Sequence, residues 1–212
     1  MNNQTHLISI LAGILWCGAA MAQQEGAKNL LRGADVEVYP EAPLPQEDWN
    51  TFYAPVAAEL MAKHTYFTVV SGKGREGSRA IRIELTPESR ELWKAHPAKP
   101  DTTAMFLHDK FRPAPKQDYT PLAADKVVFS VWVHVEKGAF KAQFRARARK
   151  GKDALPDLIR GTLNVTERGK WVQVKLEGRG AAGLTSADIR LELESEGNFE
   201  VYLDDFFFGA EK

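Results

Sequence analysis

KVVFSVWVHVEKGAFKAQFRARARKGK, residues 126–152, is the stretch that decides the fold reading of this chain. Its first half alternates, with Val127, Phe129, Val131, Val133 and Val135 on one side of an extended strand. Its second half does the same with Phe140, Ala142, Phe144, Ala146 and Ala148. Period 2 marks a half-buried strand, and Glu136-Lys137-Gly138 between two such runs reads as a hairpin turn. The opposite sides carry Ser130, Trp132 and His134 on one run, and Lys141, Gln143, Arg145, Arg147 and Arg149 on the other. A hairpin would place Gln143, Arg145 and Arg147 on the same sheet face as Trp132 and His134, as cross-strand neighbours. Such a face is either an ordinary wet surface or a binding platform.

Outward from this stretch the same alternation recurs at Arg79–Leu85, Leu158–Val165, Trp171–Leu176 and Asp188–Glu194, and Phe199–Phe208 closes the chain. Strands ending at Tyr39 and spanning His64–Val70 bring the expectation to about nine. Thr86-Pro87-Glu88 opens one short helix over Glu88–Lys94, with Thr86 as N-cap and Pro87 in the first turn. Many short strands without βαβ alternation predict an all-β fold, a two-sheet β-sandwich or jelly roll. Between Ala95 and Asp125 the prolines are dense, which predicts a long irregular connection. It reads either as a lid over a binding face or as an insertion packed on the side of a sheet.

The 212 residues suffice for one domain with a core, and 44% hydrophobic and 26% charged residues suit a globular chain. Zero net charge argues against a general nucleic-acid or membrane field. The charges are uneven, however: Lys137–Lys152 holds no acidic residue and Leu191–Glu211 no basic one. Leu7–Cys17 has the length of a signal-peptide apolar core, and Ala20-Met21-Ala22 fits a cleavage site. Residues 1–22 are therefore read as a secretory signal, with 23–212 as a single secreted or periplasmic domain without a transmembrane segment. The lone Cys17 lies within the signal, so the mature domain has no disulfide.

The landmarks, taken in order, resemble a family. Asn29-Leu30-Leu31-Arg32-Gly33-Ala34-Asp35-Val36-Glu37 resembles the opening strand "NLL-x-NGDFE" of carbohydrate-binding modules of families four, nine and twenty-two. Gly77-Ser78-Arg79-Ala80-Ile81, Phe129-Ser130-Val131-Trp132-Val133 and Trp171-Val172-Gln173-Val174 resemble the family's later strands. Phe199–Phe206, with Asp204-Asp205, resembles the closing "F-x-VDDV". The resemblance runs from Asn29 to Phe208; it departs at Gly33-Ala34, where the family has Asn-Gly, and in the length of the 86–125 connection. It implies a galactose-binding-like jelly roll that binds carbohydrate. It also implies a structural calcium ion where the first and last strands meet, held by Glu37 and Asp205, or by Asp35 and Asp204 if the phase is off by one.

Sugars are recognised by aromatic stacking and by planar hydrogen-bonding groups. The ligand-binding candidates are Trp132, His134, Gln143, Arg145, Arg147 and Tyr202. The arginines favour an anionic polysaccharide, since guanidinium bonds carboxylate and sulfate bidentately. Trp171, at a strand start, reads as core, and Trp49 and Trp93 fall in loop or helix contexts. No metalloprotease, phosphate-loop or nucleophile-elbow spacing is present, and no catalytic residue is assigned. The expected function is non-catalytic carbohydrate binding, with a polysaccharide, the cell envelope or a carbohydrate-active enzyme as partner. The alternatives are an envelope structural or protein-binding sandwich, and a jelly-roll lyase or glycoside hydrolase. A lyase would group His134, Arg145 and Tyr202, and a hydrolase would need a carboxylate pair such as Glu192 and Glu194.

Overall fold

The computed structural model describes residues 29–31, 34, 36–39, 41, 49–51, 67–87, 91, 103–107, 120–193 and 197–211. The expected two-sheet β-sandwich is present. One sheet has the order β2-β3-β11-β5-β9, formed by Phe67–Val70, Ala80–Leu85, Phe199–Ala210, Val127–Lys137 and Trp171–Gly178. The other has the order β1-β4-β10-β6-β7, formed by Trp49–Thr51, Thr103–Leu107, Ser186–Leu193, Phe140–Lys150 and Asp153–Ala154; β8, Ile159–Val165, also pairs with β6. Among the described residues every strand pairing is antiparallel.

The central stretch corrects the sequence reading. β5 pairs with β11 and β9, whereas β6 pairs with β10 and β8, so the two strands lie in different sheets. The turn at Lys137-Gly138-Ala139 carries the chain from one layer to the other. Gly138 is required there: its φ is +77°, and a Cβ would sit 2.6 Å from the Asn198 carbonyl oxygen. The inward alternation holds on both strands, and Phe129 and Phe144 meet across the sandwich as stacked rings 3.8 Å apart. Leu122, Ile81, Ile83, Leu191 and Leu203 are among the other fully buried side chains.

Other differences are local. Val36–Val38, expected within a strand ending at Tyr39, forms a 3-10 turn. Asn29 and Leu30 lie along β11, because Asn29 donates to the Phe206 carbonyl (2.7 Å), Phe208 N donates to Asn29 Oδ1 (3.1 Å) and Leu30 N donates to the Phe208 carbonyl (2.8 Å). Within the connection expected to be irregular, Thr103–Leu107 is a strand that pairs with β10 and with β1. Trp49 opens β1 rather than a loop or helix. β11 bulges between Asp204 and Phe207, with Asp205 at φ 48°, a left-handed backbone that a non-glycine residue adopts at a cost. The signal segment, the expected helix apart from Glu91, Asp35, Trp93 and Glu194 lie outside the described residues. Among the described residues, no helix is long and apolar enough to cross a membrane.

Candidate functional site

The outer face of the first sheet gathers aromatic and charged side chains into a lateral row. Strand register places Thr68 opposite Arg82, Arg82 opposite Tyr202, Tyr202 opposite His134, and His134 opposite Trp171. The His134 ring lies 5.5 Å from Trp171 and 5.9 Å from Tyr202, centroid to centroid. One pair further along, Asp204, Trp132 and Gln173 form the next row. Alternation explains the side: Val172 and Val174 pack on the core while Gln173 is exposed, so Trp171 shares the outward phase.

The polar end of the row is closed. Tyr202 Oη donates to Glu200 Oε1 at 2.6 Å, and Arg82 Nε donates to the same oxygen at 2.9 Å. Arg82 also reaches Glu84 at 2.7 Å. Burial, then the bond to Glu200, pushes the Tyr202 phenol up to about 12. Burial alone would raise the Glu200 carboxyl, but the bonds from Tyr202 and Arg82 outweigh it and hold it below the usual carboxylate range. Tyr202 therefore stands as a neutral hydrogen-bonded ring. The lyase grouping is not assembled, because Arg145 lies on the other sheet.

A loop covers the Trp132 end. Residues 71–79 fold over it, placing the Arg75 guanidinium 3.9 Å above the Trp132 ring and Lys73 Nζ 5.7 Å from the Tyr202 ring. Cation–π contacts of this kind favour the ring face. Asp204 anchors the loop: it accepts from Arg75 N (2.9 Å) and Ser78 Oγ (2.9 Å), and from Asp205 N (2.8 Å). Burial pushes its carboxyl up, against those bonds. Trp132 thus carries the Arg75 guanidinium over its ring.

The calcium candidates meet the same loop. Asp205 is paired with Arg75 at 2.6 Å, and Glu37 accepts from the Arg79 backbone N–H. Arg79 Nη1 donates to the Glu37 and Tyr39 carbonyls, at 2.9 and 2.5 Å, and its Nε to Ser71 Oγ at 3.3 Å. Oxygen atoms that a calcium ion would need are thus bonded to guanidinium and N–H donors. Among the described residues, no group of three or more His, Cys, Asp or Glu side chains is placed to hold a metal. As they stand, Glu37 and Asp205 do not fit a calcium cage.

Gln143, Arg145 and Arg147 face outward from β6, on the opposite side of the molecule from Trp132 and His134. The single platform read from the hairpin is therefore two surfaces. On this second surface Arg160, Arg145 and Arg190 stand side by side across β8, β6 and β10. Arg145 bonds Asp157 at 2.6 Å, and Thr162 Oγ1 donates to Gln143 at 3.2 Å. Trp171 and Arg82, not among the expected candidates, stand in register with His134 and Tyr202, and the alternation of their own strands carries that signal. The contact of Arg75 with Trp132 had no such local signal.

No family model matches the chain, and no curated protein matches it in sequence. Solved structures do resemble it. The CBM22-1–GH10 modules of a Clostridium thermocellum xylanase, complexed with xylohexaose, align at 11% identity and TM-score 0.49, covering 81% of this chain and 28% of that one. A family 61 carbohydrate-binding module in complex with β-1,4-galactotriose aligns at 16% identity and TM-score 0.48, covering 87% of this chain and 99% of that one. The enzymatically active domain of bacteriophage CBA120 tailspike protein 4 aligns at 9% identity and TM-score 0.50, covering 85% of this chain and 21% of that one. This chain thus spans about a quarter of the xylanase chain and about a fifth of the tailspike chain. Of these the tailspike domain reaches a TM-score of 0.50, and at 9% identity that likeness speaks to the fold alone.

Proposed function

We propose that this chain is an exported, non-catalytic carbohydrate-binding domain, with its sugar site on the outer face of the first sheet. The observation that carries the reading is the lateral row from Arg82 through Tyr202 and His134 to Trp171. An indole on an edge strand offers a face for the apolar side of a pyranose. His134 beside it and exposed Gln173 supply hydrogen-bonding groups for hydroxyls. The similar structures solved with xylohexaose and galactotriose are consistent with it, and so is an N-terminus of signal-peptide pattern. The anionic preference read from Arg145 and Arg147 belongs to the other sheet and is a separate matter from this face.

Native affinity electrophoresis through xylan, β-glucan, mannan and galactan gels tests the proposal. Retardation is expected in at least one neutral gel. Trp171→Ala should cost about 2 kcal/mol, a weakening of roughly 30-fold, as removal of a central aromatic anchor does. Its melting temperature should stay close to that of the parent, because the ring is outside the core. No retardation in any gel, or retardation untouched by Trp171→Ala, would overturn the assignment.

A further inference from the structure

The second sheet presents a different chemistry. Arg160, Arg145 and Arg190 are directly opposite one another across three neighbouring strands. Like charges placed directly across a sheet are destabilising. Neighbouring strands are about 4.8 Å apart, so the three side chains leave the sheet from adjacent positions. Lys141 and Arg149, both exposed, extend the positive charge along β6. Among the described side chains, the acidic groups facing it are Asp157, bonded to Arg145, and Glu192, opposite Gln143. Among the described side chains, cations outnumber anions on this face. The row beside the arginines is uncharged on two strands, where Thr162 and Gln143 are hydrogen-bonded to each other. Asn164, opposite Lys141, adds a second planar amide.

We infer that the outer face of β6, β8 and β10 is a second, separate binding surface for an anionic polysaccharide, one bearing carboxylate or sulfate groups. Guanidinium forks bond both groups bidentately and with charge assistance. Gln143, Thr162 and Asn164 supply the amide and hydroxyl partners that sugar hydroxyls need. The outward positions of β6, β8 and β10 hold no aromatic side chain. Binding here is electrostatic rather than stacked, and salt weakens it. The lack of rings also sets it apart from single-stranded nucleic-acid surfaces, which stack bases on aromatic side chains. The surface lies back to back with the aromatic face, so each can hold its own chain. The assignment does not depend on the neutral-sugar reading of the first sheet.

The test is affinity electrophoresis of the full mature domain through alginate, pectin and sulfated galactan gels at low and moderate salt. Duplex DNA serves as a polyanion control. Retardation in an acidic gel that fades with salt is expected. Arg149→Gln combined with Arg160→Gln, both at exposed positions, should weaken it several-fold and leave the melting temperature within a few degrees. Arg145→Lys, which keeps the charge and loses the fork, should weaken it too. Trp171→Ala should leave it unchanged. Preference for alginate and pectin would assign carboxylates, and preference for the galactan would assign sulfates. Absence of salt-sensitive retardation, loss in Trp171→Ala but not in the arginine variants, or equal retardation by DNA would each overturn the inference. The neutral gels report on the first sheet independently, so failure of one surface is distinguishable from failure of the other.

Discussion

The stacking of Phe129 on Phe144 is the contact through which the two sheets can be tested as separate layers. Both rings are fully buried, and they lie 3.8 Å apart at 17°. Phe144→Ala removes a whole ring from a closed interior, at a cost of about 3–5 kcal/mol. In a domain of this size each kcal/mol lowers the melting temperature by about 2–4 °C, so the melt should fall by roughly 6–20 °C. Bulk loss alone would produce that drop in many arrangements. The decisive quantity is the coupling between the two rings. Phe129→Leu and Phe144→Leu, singly and together, followed by denaturant unfolding, form a double-mutant cycle. Stacked rings should give a coupling of about 0.5–1.5 kcal/mol. Costs that add to within about 0.3 kcal/mol would refute the contact. With it would go the placement of β5 and β6 in facing sheets, and the separation of the two proposed surfaces.

Four further outcomes are expected. Hydrogen bonds from Lys126 and then Lys175 hold Glu211 at about 2, below the ordinary 4.5. A depressed carboxyl stabilises the fold above its unfolded value and loses that contribution as pH falls through the folded one. The melting difference between the parent and Glu211→Gln should therefore be steady above pH 4.5 and vanish towards about 2; a difference that grows on acidification would refute this. Tyr202 is raised from 10.0 to about 12, so its contribution persists below 10 and is lost as pH climbs to 12. The phenolate absorbance missing from Tyr202→Phe should titrate near the upper value, and a step near the lower one would refute its burial. A Cβ at Gly74 would lie 2.2 Å from Ser78 Oγ and 2.3 Å from the Arg79 carbonyl, so Gly74→Ala should destabilise by about 1–3 kcal/mol. It should also change Trp132 fluorescence as Arg75 shifts, and an unchanged melt and spectrum would refute the packing of the loop. Finally, a chelator should leave the melting temperature unchanged, while Arg79→Gln should lower stability by about 1–2 kcal/mol through lost bonds to the Glu37 and Tyr39 carbonyls. A chelator-induced drop that calcium restores would refute the argument from the arginines.

What was legible in the sequence follows from how far each signal reaches along the chain. Alternation is local, so it identified the buried side of β5 and β6 residue by residue, from Val127 to Ala148. The same signal is present in β9, where Val172 and Val174 fix Trp171 on the outer side, although a Trp at a strand start suggests core on its own. Partner choice is a different kind of information. A turn at Lys137-Gly138 serves equally for a hairpin and for a crossing between layers. The crossing is specified by contacts distant in sequence, among them β11 against β5 and the close approach of Asn198 to Gly138. Strand β4 was hidden for a related reason: Thr103–Leu107 is short, sits among prolines, and gains its pairing from β10 far downstream. The capping of Trp132 by Arg75 depends on Asp204, a residue more than a hundred positions from the loop it anchors. The consequence for function is specific. Most of the inventory of candidate binding residues could be read locally, but their partition between two faces could not. That partition decides which chemistry each proposed surface can offer, because the rings lie on the outer face of the first sheet and the row of arginines on that of the second.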